Sequence, residues 1–150
     1  MKRAGFVFVL VLMMITLAVG VAFAATVTCT GGECLATNGD DRMDGTPEND
    51  SMLGRGGDDT IFGRSGRDAI KGGPGDDRAY GGVGNDRVKG ASGKDRLYGG
   101  PGDDLMRGGL HSKTNDGVRD IIDCGKGRDE VYFTPRVDVI RNCEIKHRSG

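Results

Sequence analysis

Eight aspartates recur at a fixed nine-residue spacing: Asp41, Asp50, Asp59, Asp68, Asp77, Asp86, Asp95 and Asp104. An ionised carboxylate only accepts hydrogen bonds and is a hard oxygen ligand, so a regular series of them suits coordination of a hard divalent cation. Two of them could in principle work as a general acid and base, but that chemistry gives no reason for the period. No nucleophile stands beside a candidate base, and the two histidines, His111 and His147, are isolated in the sequence and show no metal-binding pair spacing. Both read as surface positions.

The spacing belongs to a larger pattern. Residues 36–107 divide without insertion into ATNGDDRMD, GTPENDSML, GRGGDDTIF, GRSGRDAIK, GGPGDDRAY, GGVGNDRVK, GASGKDRLY and GGPGDDLMR. The sixth column is always Asp. The fourth is Gly except at Glu48, and the eighth is always apolar: Met43, Met52, Ile61, Ile70, Ala79, Val88, Leu97 and Met106. This G-G-x-G-x-D-x-U-x pattern resembles the hemolysin-type (RTX) calcium-binding repeat family, over about half of the chain. The resemblance implies an all-β, right-handed parallel β-roll. Two nonapeptides would make each eighteen-residue coil, about four coils in all, with Ca2+ in the turns between successive coils.

The residues lead the same way. Six glycine-rich positions form a turn, since glycine weakens helix and strand interiors. The last three, such as Thr60-Ile61-Phe62, form a short strand with its middle residue inward. One inward apolar residue in nine is a thin core against the entropy of ordering the backbone. Stacked coils would bring Asp59 close to Asp41 and Asp77, where like charges repel and raise one another's pKa. Calcium accepts six to eight oxygens in flexible geometry, so it can combine these carboxylates with turn carbonyls. Magnesium demands a stricter octahedron, and zinc prefers His and Cys, which the repeats lack. Folding is therefore expected to be coupled to calcium.

Several copies depart from the pattern. Ala36 and Thr37 replace both leading glycines, Arg55, Arg64 and Ala91 stand in the second column, and Arg67 and Lys94 put cations in the fifth. These copies are expected to bind less well, and the strongest sites are expected at Asp59, Asp77, Asp86 and Asp104. Three gaps on each side of four coils allow up to six ions. Asn49-Asp50-Ser51 matches a glycosylation sequon, but the repeat already accounts for Asp50.

Alternate nonapeptides fall on opposite sheets. The ninth column then reads Asp44, Phe62, Tyr80, Tyr98 on one sheet, with Arg42, Thr60, Arg78 and Arg96 in the seventh. On the other sheet it reads Leu53, Lys71, Lys89, Arg107. The aromatic ladder Phe62, Tyr80, Tyr98 either stabilises an exposed sheet by stacking and cation–π contacts or offers a flat surface to cell-surface glycans.

At the start of the chain, Lys2 and Arg3 precede an apolar run, Gly5 to Val21, and Ala22-Phe23-Ala24 offers a cleavage site. Residues 1–24 read as a signal peptide, with a retained membrane anchor as the alternative. Cleavage would leave 19 basic against 22 acidic residues, changing the net charge from −1 to −3. Residues 25–35 form an N-terminal cap, 36–107 the roll, and 108–150 a loop and a capping coil. In that coil Asp129 and Val131 rejoin the sixth and eighth columns. Export favours disulfides, and of three pairings Cys29–Cys34 with Cys124–Cys143 is expected. A metal site at Cys29 and Cys34 is the competing reading. The nineteen residues from Cys124 to Cys143 suit a staple between adjacent coils.

The expected function is calcium binding by a secreted, non-catalytic, monomeric module, adhesive or envelope-associated. Its partners would be calcium ions and cell-surface glycans, with no nucleic acid and no membrane after signal cleavage. The N-terminal signal is unlike most proteins of the resembled family, which puts a toxin role in doubt. The alternatives are a calcium-dependent polysaccharide-active enzyme on a parallel β-scaffold and a subunit that stacks end to end.

Overall fold

The computed structural model describes residues 24–109, 118–135 and 137–148. The signal-peptide reading and His111 lie outside them. Among the described residues no helix is long and apolar enough to cross a membrane.

The repeat becomes strands in strict alternation. The first half of the chain supplies β1 (Thr26–Thr28), β2 (Gly32–Leu35), β3 (Arg42–Asp44), β4 (Asp50–Leu53), β5 (Thr60–Ser65), β6 (Ala69–Pro74) and β7 (Arg78–Val83). The second half supplies β8 (Arg87–Ser92), β9 (Arg96–Pro101), β10 (Leu105–Gly109), β11 (Ile121–Lys126), β12 (Glu130–Phe133), β13 (Val139–Arg141) and β14 (Ile145–Arg148). Odd-numbered strands form one seven-stranded sheet and even-numbered strands a second. Every pairing is parallel and joins strands two apart in sequence, as a solenoid requires. The solenoid has about six turns rather than only the four that the eight nonapeptides supply. The expected caps are themselves coils: residues 25–35 give β1 and β2, and the C-terminal segment gives β11 to β14.

Register follows the eighteen-residue period, with Ile61 beside Ala79 and Ile70 beside Val88. The period shortens at the two ends, to sixteen between β1 and β3 and fifteen between β12 and β14, and lengthens once within. Leu97 pairs with Ile122 and Met106 with Val131, twenty-five residues on, so Gly109 and Asp120 flank an insertion in the count while the strands on either side stay in register.

Inside runs a narrow file of side chains. Met43, Met52, Ile61, Ile70, Ala79, Val88, Leu97 and Met106 are buried, and Ile122 and Val131 continue the file. Val27, Phe133 and Ile140 pack on it at the ends. Residues two apart on a strand share a face, so the sixth column turns inward with the eighth. Ten aspartates are buried beside this core: the eight of the repeats, Asp120 and Asp129. Both expected disulfides are present, with Cα–Cα distances of 5.5 Å for Cys29–Cys34 and 5.2 Å for Cys124–Cys143.

Candidate metal centre

The buried carboxylates are organised by the backbone. Asp41 N–H donates to Asp59 Oδ1 (2.8 Å), Asp59 N–H to Asp77 Oδ1 (2.9 Å) and Asp77 N–H to Asp95 Oδ1 (3.0 Å). The other edge repeats this from Asp50 through Asp68 and Asp86 to Asp104. Each carboxylate therefore accepts one hydrogen bond from the coil before it. The two ladders run on through Asp120 to Asp138 and through Asp129 to Glu144 Oε2. The sequence reading missed Asp120, Asp138 and Glu144 as rungs. The signal for two of them was present: Asp120 and Asp138 each precede an apolar pair, Ile121-Ile122 and Val139-Ile140.

Burial, more than mutual repulsion, sets the protonation of these groups. Loss of solvent pushes Asp59 and Asp104 up to about 7, and Asp68 and Asp77 up to about 6. The ladder bond opposes each shift. Neighbouring carboxylates, such as Asp77 and Asp41 beside Asp59, add to it. Asp86 and Asp129 are raised for the same leading reason.

The second oxygen is the chemically open one. Oδ2 of Asp59, Asp68, Asp77, Asp86, Asp104 and Asp129 is buried and has no hydrogen-bond partner. In the five repeat turns of this set it lies against the first glycine of its own turn, and a Cβ on Gly72 would collide with Asp77 Oδ2. A buried acceptor without a partner is costly and rare, and six in register call for an explanation.

The backbone of these turns shows why no amide reaches Oδ2. From the third copy on, the second and fourth columns are left-handed, as at Gly73 and Gly75, both at φ 138°. Arg55 (φ 80°), Arg64 (φ 82°) and Ala91 (φ 114°) adopt the same region in spite of their side chains. The second-column departures therefore carry backbone strain at positions the turn forces on them. The fifth column forms an exposed ladder of opposite sense. Asp40 Oδ1 accepts from Asp58 N–H and Asp58 Oδ1 from Asp76 N–H, both at 2.8 Å, and Asn49 and Asn85 do the same on the other edge. Arg67 and Lys94 donate their N–H groups to this ladder, but their side chains have no acceptor with which to extend it.

Among the described residues no three carboxylate, imidazole or thiolate groups converge on one point. A cation at these turns would take one or two carboxylates and complete its shell with carbonyls, a donor set of oxygen alone. That set fits calcium, which accepts backbone carbonyls and variable geometry, and does not fit zinc.

A family model for the RTX calcium-binding nonapeptide repeat matches residues 35–70, 63–94 and 71–106. The repeat segment belongs to the RTX calcium-binding family. No curated protein and no solved structure matches the chain. RTX repeats bind Ca2+, and the orphaned Oδ2 atoms of Asp59, Asp68, Asp77, Asp86 and Asp104 lie within the matched repeats.

The outer columns of the RTX roll form the expected ladders. Phe62 and Tyr80 stack with centroids 4.9 Å apart and planes 4° from parallel, and Tyr80 and Tyr98 at 4.8 Å and 6°. The Arg42 guanidinium lies 4.4 Å over Phe62 and also pairs with Asp44. On the opposite sheet Arg107 lies over Tyr132, and Tyr132 stacks on His147. Burial, with Lys71 and Arg107 nearby, holds the Lys89 ammonium below its usual range.

Proposed function

We propose that this protein is an extracellular calcium-binding module whose solenoid folds when calcium binds, with Asp59, Asp68, Asp77, Asp86, Asp95 and Asp104 as carboxylate ligands. The observation that carries this reading is the row of buried Oδ2 atoms at Asp59, Asp68, Asp77, Asp86 and Asp104 that no protein donor satisfies; Asp95 joins the set by its place in the repeat. An unpaired carboxylate oxygen sealed from water opposes folding, and a calcium ion at each gap turns that penalty into a ligand bond. Two disulfides and the apolar stretch from Gly5 to Val21 support export, where millimolar calcium is available.

The module is non-catalytic in this reading. The aspartates are sealed inside the ladder, so none is presented to an external substrate as an acid or base. The aromatic ladder acts as reinforcement. A sugar would stack on ring faces, and here the faces of Tyr80 are covered by Phe62 and Tyr98. Any adhesive or envelope-associated role then rests on other parts of the surface.

Circular dichroism during calcium titration of chelator-treated protein tests the reading, with magnesium as control. The expected outcome is a gain of β-signal with calcium and little with magnesium. A full β-spectrum and an unchanged melting point without calcium would sink it.

A further inference from the structure

The turns are of two kinds, and the boundary between them falls inside the repeat. In the turns 36–41 and 45–50 the second column is threonine. Thr37 donates its N–H and its hydroxyl to Asp41 Oδ2, both at 2.7 Å. Thr46 does the same to Asp50 Oδ2 at 2.6 and 2.9 Å. Each hydroxyl also accepts from the fourth-column N–H, of Gly39 and Glu48. At the other end, Thr134 N–H donates to Asp138 Oδ2 at 2.6 Å. The same oxygen is orphaned at Asp59, Asp68, Asp77, Asp86, Asp104 and Asp129. The buried orphan left in the threonine turns, Asp50 Oδ1, is the ladder-side oxygen at the end of its stack.

The backbone divides in the same place. No residue of 36–41 or 45–50 is left-handed, whereas 54–59 and the later repeat turns each contain left-handed positions. This accounts for Glu48. A side chain in the fourth column is admissible there because that turn does not take the conformation that favours glycine.

We infer that the calcium-binding part of the solenoid begins at the third turn, and that Thr37 and Thr46 take the cation's place in the first two, leaving the N-terminal coil stable without metal. Two neutral donors on one carboxylate oxygen complete its shell, so a cation there would have to displace both. The Cys29–Cys34 disulfide closes the same end of the solenoid. The chain thus carries a preformed, metal-independent coil on which the calcium-dependent coils can stack in register. The inference rests on the calcium reading above.

Two measurements on the exported protein test it. The first is bound calcium per chain, by equilibrium dialysis. Asp86→Asn is expected to lower the count by at least one ion, and Asp50→Asn to leave it unchanged. The second is hydrogen exchange in chelator, read by mass spectrometry on the unaltered protein. Amides of residues 36–53 are expected to exchange at least tenfold more slowly than those of 72–95. A Thr37→Val, Thr46→Val double variant should lose that protection at an unchanged calcium count, and the corresponding serine variants should keep it. A lower count in Asp50→Asn, or equally fast exchange of both segments in chelator, would overturn the inference. Wild-type protein that binds no calcium would overturn the underlying calcium reading instead, and the inference with it.

Discussion

At the scale of single residues, each turn is a contest between a glycine and a carboxylate for the same space. Gly72 lies against Asp77 Oδ2, so Gly72→Ala must push a buried charged group or the backbone aside. Overpacking of this kind costs about 1–3 kcal/mol. Chemical denaturation with calcium present should show a loss of at least that size. The opposite change is expected at the second column. Arg64 sits at φ 82°, a region that costs a non-glycine residue about 1–2 kcal/mol. Its 3.5 Å contact with Asp44 is exposed and worth about 0–1 kcal/mol. Arg64→Gly should therefore raise the melting temperature at saturating calcium, and a fall would show that the contact outweighs the strain.

At the scale of elements, the strands and their register were legible because side-chain direction has a fixed period. The positions of Ile61, Ile70 and Leu97 in the core, and the stacking of Phe62, Tyr80 and Tyr98, followed from counting columns. The turns were legible only in outline. Thr37 reads as a lost glycine in a column pattern, yet its amide and hydroxyl satisfy Asp41 Oδ2, the oxygen left without a partner at Asp59. Asp120 and Asp138 were hidden because the chain between Gly109 and Asp120 breaks the count while the coil resumes its register beyond it. The aromatic ladder permits a direct test. Tyr80→Ala removes the ring shared by two stacks, each worth about 0.5–1.5 kcal/mol. Stability should fall by about 1–3 kcal/mol while calcium binding and retention on polysaccharide stay as they were. Loss of polysaccharide retention with little change in stability would restore the glycan surface.

At the scale of the whole molecule, the described part of the solenoid buries ten aspartates beside sixteen apolar residues, and protonation of the aspartates couples the fold to pH. Asp59 and Asp104 rise to about 7 and Asp68 and Asp77 to about 6, because burial disfavours the charged form. An unfolded aspartate has a pKa of about 3.9. The folded state without metal therefore holds more protons than the unfolded state across the interval between these values. Its stability from these groups is fully present below about pH 4 and is lost as pH rises through 6 to 7. This is the reverse of the usual salt-bridged carboxylate, which stabilises above its unfolded pKa. Melting curves in chelator should accordingly show a higher transition at about pH 5 than at about pH 8. Saturating calcium should flatten or invert that order, since the ion favours the ionised form that burial alone penalises. A transition in chelator that rises between those two values would mean that the ladder bonds outweigh burial, and the fold would then have no need of either a proton or a cation.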